Sequence, residues 1–176
     1  MKIEKPGAHL DHMIRQTRMH HMQLSAMADM KANILLTVST VVLTFTLRWV
    51  SDPSLKWSIL CLQGFCLLTI ILATYVVMPH VPLALRTKTA PDANSPGFNL
   101  LFFGHFVGLD YETFASRMEE VMKTPSATYE AQTREIFQLG NFLARTKYRY
   151  LRFAYFTLIA GFVTSGIFHL FQMTWI

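Results

Sequence analysis

A short basic segment carries the side-chain types that bind phosphorylated ligands. Cations alternate with tyrosines along residues 145–152, which contain Arg145, Lys147, Tyr148, Arg149, Tyr150 and Arg152. Guanidinium groups bind phosphate oxygens in a bidentate geometry, and aromatic rings stack on nucleobases. This basic segment is therefore a candidate nucleotide-binding element. The alternative interpretation is that its cations anchor the chain to anionic lipid at a membrane surface.

A second candidate is the aromatic segment at residues 99–106, with the sequence NLLFFGHF. Phe102, Phe103 and Phe106 lie around Gly104 and His105. Such rings offer faces on which a base can stack. The alternative is that the phenylalanines form a hydrophobic plug between neighbouring helices.

A polar stripe follows the first of three apolar stretches in the chain. Its members are three or four residues apart, in the order Asp29, Asn33, Thr37, Thr40, Thr44 and Arg48. On a helix this spacing places them within about 100° of arc. Asn33, Thr37, Thr40 and Thr44 could line a water-filled pathway formed by several copies of the chain. Alternatively, the hydroxyls bond to carbonyls of the preceding turn and allow close helix packing.

Other reactive residue types form no recognisable site. His9 and His12 would share a helix face, but no third ligand accompanies them, so we expect no metal site. Cys61 and Cys66 would point in different directions and act as small apolar packing residues. The sequence contains no glycine-rich phosphate loop, paired-carboxylate motif or nucleophile with a base at a recognisable spacing, so we expect no catalytic residue.

The elements that position these residues are membrane helices. Charged residues make up only 15% of the chain, against about 25% in soluble domains, because they are missing from three apolar stretches at residues 32–50, 57–78 and 153–172. About 20 apolar residues at 1.5 Å per residue cross a hydrocarbon core of roughly 30 Å. All Lys and Arg residues except Arg48 and Lys56 would lie on one side. The positive-inside rule then places the N-terminus in the cytoplasm and the C-terminus outside.

These patterns predict an all-α integral membrane protein with three transmembrane helices. The first and third helices extend into the cytoplasm as long stalk helices, because no helix breaker precedes the first span after Gly7 and no proline follows Pro125 on the way into the third span. Residues 1–31 form the cytosolic N-terminal helix, and residues 79–150 form a cytosolic region of linker and helices.

The cytosolic region has recognisable helix boundaries. Residues 83–99 hold several Pro, Gly and Asn residues and are predicted to be a linker. Asp110 is a candidate N-cap for a short amphipathic helix at about 111–123. Thr124 and Pro125 are typical of the N-cap and first position of the next helix, which runs towards the third span.

Three sequence blocks carry a resemblance to a known family. They are ADMKA at residues 28–32, NLLFFGHF at residues 99–106, and KYRYLRFAY at residues 147–155. In this order the chain resembles the membrane-spanning effectors of the bacterial Pycsar anti-phage systems. The resemblance covers most of residues 20–172.

This resemblance implies a function that no pattern of composition or spacing indicates. It implies an effector in the bacterial inner membrane that needs no cofactor or nucleic acid. A partner cyclase would make a cyclic pyrimidine mononucleotide, cyclic UMP or cyclic CMP, as the activating ligand. Binding would switch a homo-oligomer of the chain to disrupt or depolarise the membrane and cause abortive infection.

The resemblance also suggests where the ligand would bind if stalk helices of several subunits enclose it. The expected phosphate contacts are Arg134, Arg145, Lys147 and Arg149. The expected base contacts are Asn99, Phe102, Phe103 and Tyr148. Asp29 and Lys31 are instead expected at the membrane boundary, where they would orient the stalk or pair with the basic segment.

Two other classes of function are compatible with the same sequence. The chain could be a membrane scaffold that recruits a cytosolic partner without conducting ions. A membrane-embedded hydrolase that acts on lipid or nucleotide is a third possibility, but no catalytic motif supports it.

Overall fold

A computed structural model describes residues 3–79 and 98–174 of the chain. Within these ranges the secondary structure is helical and contains no strand. The elements are α1 (Ala8–Thr46), a 3-10 turn (Leu47–Trp49), α2 (Lys56–Val77), α3 (Phe103–Phe106), α4 (Tyr111–Met122), α5 (Pro125–Phe142), a π-helical turn (Leu143–Lys147) and α6 (Tyr148–Thr174).

Three helical stretches of the described residues are long and apolar enough to cross a membrane. They are Ala8–Trp49, Lys56–Val77 and Pro125–Thr174. The third predicted span lies within its stretch, and the first two end one residue beyond theirs, at Val50 and Met78. This agreement confirms the all-α class and the three candidate membrane helices. The placement of the remaining residues in the cytoplasm, as stalks and as an amphipathic helix, stays a prediction.

Local side-chain chemistry explains where the helices begin. The Asp110 carboxylate accepts hydrogen bonds from the backbone N–H of Thr113 at 2.8 Å and from its hydroxyl at 2.7 Å. These bonds hold the pKa of Asp110 below its usual value. At the start of the next helix, the Thr124 hydroxyl accepts from the Ala127 N–H at 3.3 Å, and Pro125 is the first residue of α5. Most of the predicted linker at 83–99 lies outside the described residues.

The chain divides into two compact units. Unit 1 comprises Met1–Gln23 and Pro79–Phe142. Its packing is fixed by polar contacts between helices: the buried Tyr129 donates its hydroxyl to Asp11 at 2.6 Å, and Arg18 pairs with Glu135 at 3.0 Å. The hydrogen bond to the Asp11 carboxylate raises the pKa of Tyr129.

Unit 2 comprises Leu24–Met78 and Leu143–Ile176, and it contains the apolar parts of the long helices. Helix α6 packs along α2 through a buried row made up of Leu151, Ala154, Leu158 and Gly161. A Cβ atom added to Gly161 would lie 2.6 Å from the Cβ of Phe65, so only glycine allows this approach. Nearby, the Ser165 hydroxyl donates to the Ser58 carbonyl at 2.9 Å.

Candidate functional site

The predicted ligand residues fall into the two units. Unit 1 contains Asn99, Phe102, Phe103 and Arg134. Unit 2 contains Arg145, Lys147, Tyr148 and Arg149. The two sets differ in their surroundings.

Asn99 holds the aromatic segment of unit 1 in a tight turn. Its side chain is 2% exposed. The side-chain amide donates to Gln138 at 2.9 Å, and its oxygen accepts from the Leu101 N–H at 3.0 Å. The backbone N–H of Asn99 donates to Nδ1 of His105 at 2.9 Å. Asn99 therefore has a structural role in this conformation, while its contact with a base stays a prediction.

The turn constrains the protonation state of His105. Because Nδ1 accepts a hydrogen bond, it carries no proton, and burial lowers the pKa of the imidazole. The rings of Phe98 and Phe102 lie 5.7 and 5.2 Å from the imidazole centroid, stacked and edge-on respectively. Phe103 packs on Phe102 at 5.0 Å and is 59% exposed. Of the two phenylalanines predicted to contact a base, Phe103 thus has the more accessible ring.

Beside this turn lies a cavity of about 310 Å³ in unit 1. Pockets that hold small molecules typically measure about 300–1,000 Å³. Two ion pairs line this unit 1 cavity, Arg117 with Glu120 at 3.7 Å and Arg134 with Glu130 at 3.5 Å. The remaining lining residues are Phe98, Asn99, Leu100, Val121, Ala127 and Ala131.

The unit 1 cavity contains two of the predicted ligand residues, Asn99 and Arg134. Sequence reasoning missed Arg117, Glu120 and Glu130. Each lies three or four residues from an opposite charge, a spacing typical of exposed ion pairs on one helix. That spacing does not predict that α4 and α5 bring the two ion pairs to one cavity.

In unit 2, Lys147 is already engaged with Asp29. Its ammonium group lies 2.7 Å from both carboxylate oxygens of Asp29 and 2.9 Å from the Ser25 hydroxyl. The Lys147 side chain is only 12% exposed. This arrangement uses all three ammonium donors. It confirms that Asp29 pairs with the basic segment, and it competes with the predicted role of Lys147 as a phosphate contact.

Lys147 is the last residue of a π-helical turn at Leu143–Lys147. A π-helical turn contains one residue more than an α-helical turn, so it changes the face on which the following side chains lie. The next residue, Tyr148, donates its hydroxyl to the Leu24 carbonyl at 3.1 Å. Two consecutive residues where the turn meets α6, Lys147 and Tyr148, thus both contact α1. Such turns are rare and frequently occur at functional sites.

The remaining cations of the basic segment line a wide groove of about 1,000 Å³ in unit 2. Lys31, Arg145, Arg149 and Arg152 contribute charge, and no acidic side chain is among the lining residues. None of these cations forms an ion pair within the described ranges 3–79 and 98–174. The other lining residues are Ala144, Tyr148, Leu151, Phe153, Tyr155, Phe156 and Ile159. We call this feature the basic groove.

The polar stripe of α1 faces away from the interior of unit 2. The buried face of α1 is formed by Ala28, Ala32, Leu35 and Ser39, whereas Asn33, Thr37, Thr40 and Thr44 are exposed. Thr37 donates to the Asn33 carbonyl at 3.0 Å, and Thr44 donates to the Thr40 carbonyl at 2.9 Å. These bonds match the packing interpretation, but the exposed position leaves the pathway interpretation open as well.

The histidine and cysteine candidates do not converge. The described residues contain no group of three or more His, Cys, Asp or Glu side chains that could hold a metal ion. Cys61 lies 3.5 Å from the Thr164 hydroxyl, Cys66 is buried, and both thiols are free.

Comparison with models of protein families gives a match over most of the chain. The family model described as PycTM, Pycsar effector protein domain, matches residues 12–172. This confirms the resemblance carried by the three sequence blocks. No curated protein and no solved structure matches the chain.

Proposed function

The chain belongs to the Pycsar effector family of anti-phage defence, and from this premise we propose that a cyclic pyrimidine mononucleotide activates it to damage the bacterial inner membrane. Cyclic UMP or cyclic CMP from a partner cyclase would be the ligand. The three apolar helices support a location in a membrane. Disruption or depolarisation of that membrane would stop growth of an infected cell before phage mature.

The unit 1 cavity is the observation that carries the ligand proposal. Its volume suits a mononucleotide, and it combines guanidinium, carboxylate and amide groups with an aromatic wall from Phe98. The cyclic phosphate carries one negative charge. Arg117 and Arg134 are suited to bind it in a bidentate geometry. The cavity is also lined by Asn99, the first residue of the aromatic segment NLLFFGHF that carries part of the resemblance.

Exchange of ion-pair partners gives this cavity a means of responding to the ligand. Glu120 and Glu130 now pair with the two arginines. A bound phosphate would compete with these carboxylates for the guanidinium groups of α4 and α5. A ligand shifts an equilibrium only through its different affinity for two states, and this exchange would provide that difference. Four other residues stay predicted ligand contacts: Arg145, Lys147, Tyr148 and Arg149. The binding assay described below tests them as well.

Damage to the membrane requires more than one copy of the chain under this proposal. The exposed polar stripe of α1 would be covered by neighbouring copies in a homo-oligomer. Asn33, Thr37, Thr40 and Thr44 would then either seal the helix contact or line a wet pathway after activation. The chain acts without catalysis in this scheme, and its C-terminus lies outside the cytoplasm.

A scaffold that recruits a cytosolic partner is the alternative function. It is compatible with the same helices and would need no ion pathway. Ion flux separates the two proposals, because a scaffold produces none when the ligand is added.

Ligand-dependent thermal stability of the detergent-purified chain tests the binding step. Cyclic UMP or cyclic CMP should raise the apparent melting temperature, and cyclic purine nucleotides should do so less. A ligand at 100 times its Kd stabilises the folded state by about 2.7 kcal/mol. Arg134→Gln should raise the apparent Kd at least tenfold.

Lys123→Gln is the matched control. Lys123 is a cation at the end of α4 that pairs with Glu119 and does not line the unit 1 cavity. This variant should keep the wild-type affinity. Absence of a shift with any cyclic nucleotide, or an unchanged Kd in Arg117→Gln/Arg134→Gln, would contradict the proposal.

A further inference from the structure

We propose that the basic groove of unit 2 binds the phosphate headgroup of an anionic phospholipid. The chemistry it recognises is a phosphate next to an apolar body. Both a lipid and a nucleotide carry phosphate, so the position and shape of the groove must decide between them. The inference concerns a different set of residues from the unit 1 cavity, because the cavity and the basic groove share no lining residue.

The charges of the groove are concentrated at one end of the apolar helices. Lys31 immediately precedes the predicted first span at 32–50, and Arg152 immediately precedes the predicted third span at 153–172. Arg145 and Arg149 lie seven and three residues before Arg152, on the same approach to the membrane. Headgroup phosphates lie at this depth, where polybasic segments attract anionic lipid.

The opposite end of the groove is apolar and faces outward. Phe153, Phe156 and Ile159 are 43%, 60% and 56% exposed. In a membrane these side chains face acyl chains. A soluble nucleotide would place its polar ribose against this surface, whereas a phospholipid places hydrocarbon there. The gradient from cations to aromatic and aliphatic side chains therefore fits a lipid.

Within the described part of unit 2, the cations of the basic groove have no acidic side chain as a partner. Asp29 is the only acidic residue in the sequence of unit 2 apart from Asp52, which lies in the loop at the other end of α1. Asp29 already pairs with Lys147 at 2.7 Å. Consequently no carboxylate of unit 2 is left for Lys31, Arg145, Arg149 and Arg152. Arginines keep their charge at any physiological pH, so a lipid phosphate would give these cations a fixed counterion.

Aromatic groups mark the same boundary. Tyr148 and Tyr155 line the groove, and tyrosine is enriched where the membrane meets water. The guanidinium of Arg149 lies 5.9 Å from the ring centroid of Phe153, so its charge is held over the apolar wall. A phosphate bound by Arg149 would thus lie directly above the hydrocarbon contacts.

Titration of the detergent-purified full chain with short-chain phospholipids tests this proposal. Dioctanoyl phosphatidylglycerol should raise the apparent melting temperature, and dioctanoyl phosphatidylcholine at the same concentration should raise it much less. Arg145→Gln/Arg149→Gln should weaken the response to phosphatidylglycerol at least tenfold in apparent Kd. Lys31→Gln, a single change on α1, should weaken it in the same direction if the double variant does not fold.

Arg48→Gln is the matched control because Arg48 lies at the other end of the first span, 5.1 Å from the Trp49 ring. It should bind phosphatidylglycerol as tightly as wild type. Equal stabilisation by both lipids, or an equal loss in Arg48→Gln, would overturn the proposal. A cyclic UMP or cyclic CMP response that disappears in Arg145→Gln/Arg149→Gln and survives in Arg134→Gln would identify the groove as a nucleotide site instead and also overturn it.

Discussion

The ammonium group of Lys147 and the carboxylate of Asp29 form an ion pair with both N–O distances at 2.7 Å. The Ser25 hydroxyl accepts the third hydrogen bond of the Lys147 ammonium group. The pair connects α1 to the π-helical turn that leads into α6. It leaves the other cations of the basic segment available for anions from outside unit 2.

Asp29→Asn should destabilise the chain because it leaves the charge of Lys147, which is 12% exposed, without its counterion. The loss should be about 2 kcal/mol, as for a hydrogen-bonded charge that loses its partner. For a chain of this length that corresponds to a melting temperature lower by roughly 4–8 °C. Thermal unfolding of the purified protein in detergent measures it.

Lys147→Met provides the second half of a double-mutant cycle. Asp29→Asn/Lys147→Met should be more stable than Asp29→Asn alone, because no charge is left unpaired. If the double variant loses the sum of the two single losses, the two residues do not interact and the ion pair contributes no coupling energy.

Gly161→Ala should disrupt the contact between α2 and α6. The new Cβ would lie 2.6 Å from the Cβ of Phe65, which forces the helices or the ring to move. Overpacking of this kind costs about 1–3 kcal/mol. Gly166→Ala on the same helix is the control, because nothing lies within 4 Å of its added Cβ. Similar melting temperatures for both variants would show that α6 does not approach Phe65 of α2 this closely.

Stability should fall in mild acid because of His105. Burial lowers the pKa of His105 in the folded chain below its ordinary value of 6.5. The unfolded chain therefore takes up the proton first. The stabilisation is fully present above the unfolded pKa of 6.5 and decreases as the pH falls through that value towards the lower folded pKa. Thermal unfolding between pH 8 and pH 5 records the decrease.

His105→Asn keeps a hydrogen-bond acceptor but removes the titratable group, so its melting temperature should depend less on pH over this interval. His12→Asn, which changes an exposed histidine of α1, is the matched control variant. A wild-type slope in His105→Asn would assign the acid sensitivity to another group.

Thr37→Val/Thr40→Val/Thr44→Val tests the polar stripe. If the hydroxyls line a wet pathway after activation, the triple variant should abolish growth arrest in cells that express the cyclase, while the protein still reaches the membrane. Valine matches the shape of threonine, so helix packing should change little. Full growth arrest by the variant would restrict the stripe to packing.

Much of the fold could be predicted because local chemistry determines it. Asp110 and the Thr124–Pro125 pair begin helices where their side chains and missing N–H group favour a start, and α2 ends two residues before Pro79. The apolar stretches likewise follow from the cost of leaving backbone groups unpaired in lipid. These signals act over a few residues and can be read directly.

The environment of the candidate ligand residues could not be predicted in the same way. Asn99 is predicted to contact a base, and the structure adds that its own groups bond to Leu101, His105 and Gln138. Residue type alone does not show which partner a polar side chain selects. The π-helical turn has no sequence signature either, and it helps decide which cations meet α1 and which line the basic groove.

Ion flux from proteoliposomes that contain only the purified full chain tests the central claim most directly. Addition of cyclic UMP or cyclic CMP should release a trapped ion or collapse an imposed membrane potential. Arg134→Gln should require at least tenfold more ligand, and Lys123→Gln should match wild type. Liposomes that stay sealed at ligand concentrations that saturate binding would contradict the account and favour the scaffold.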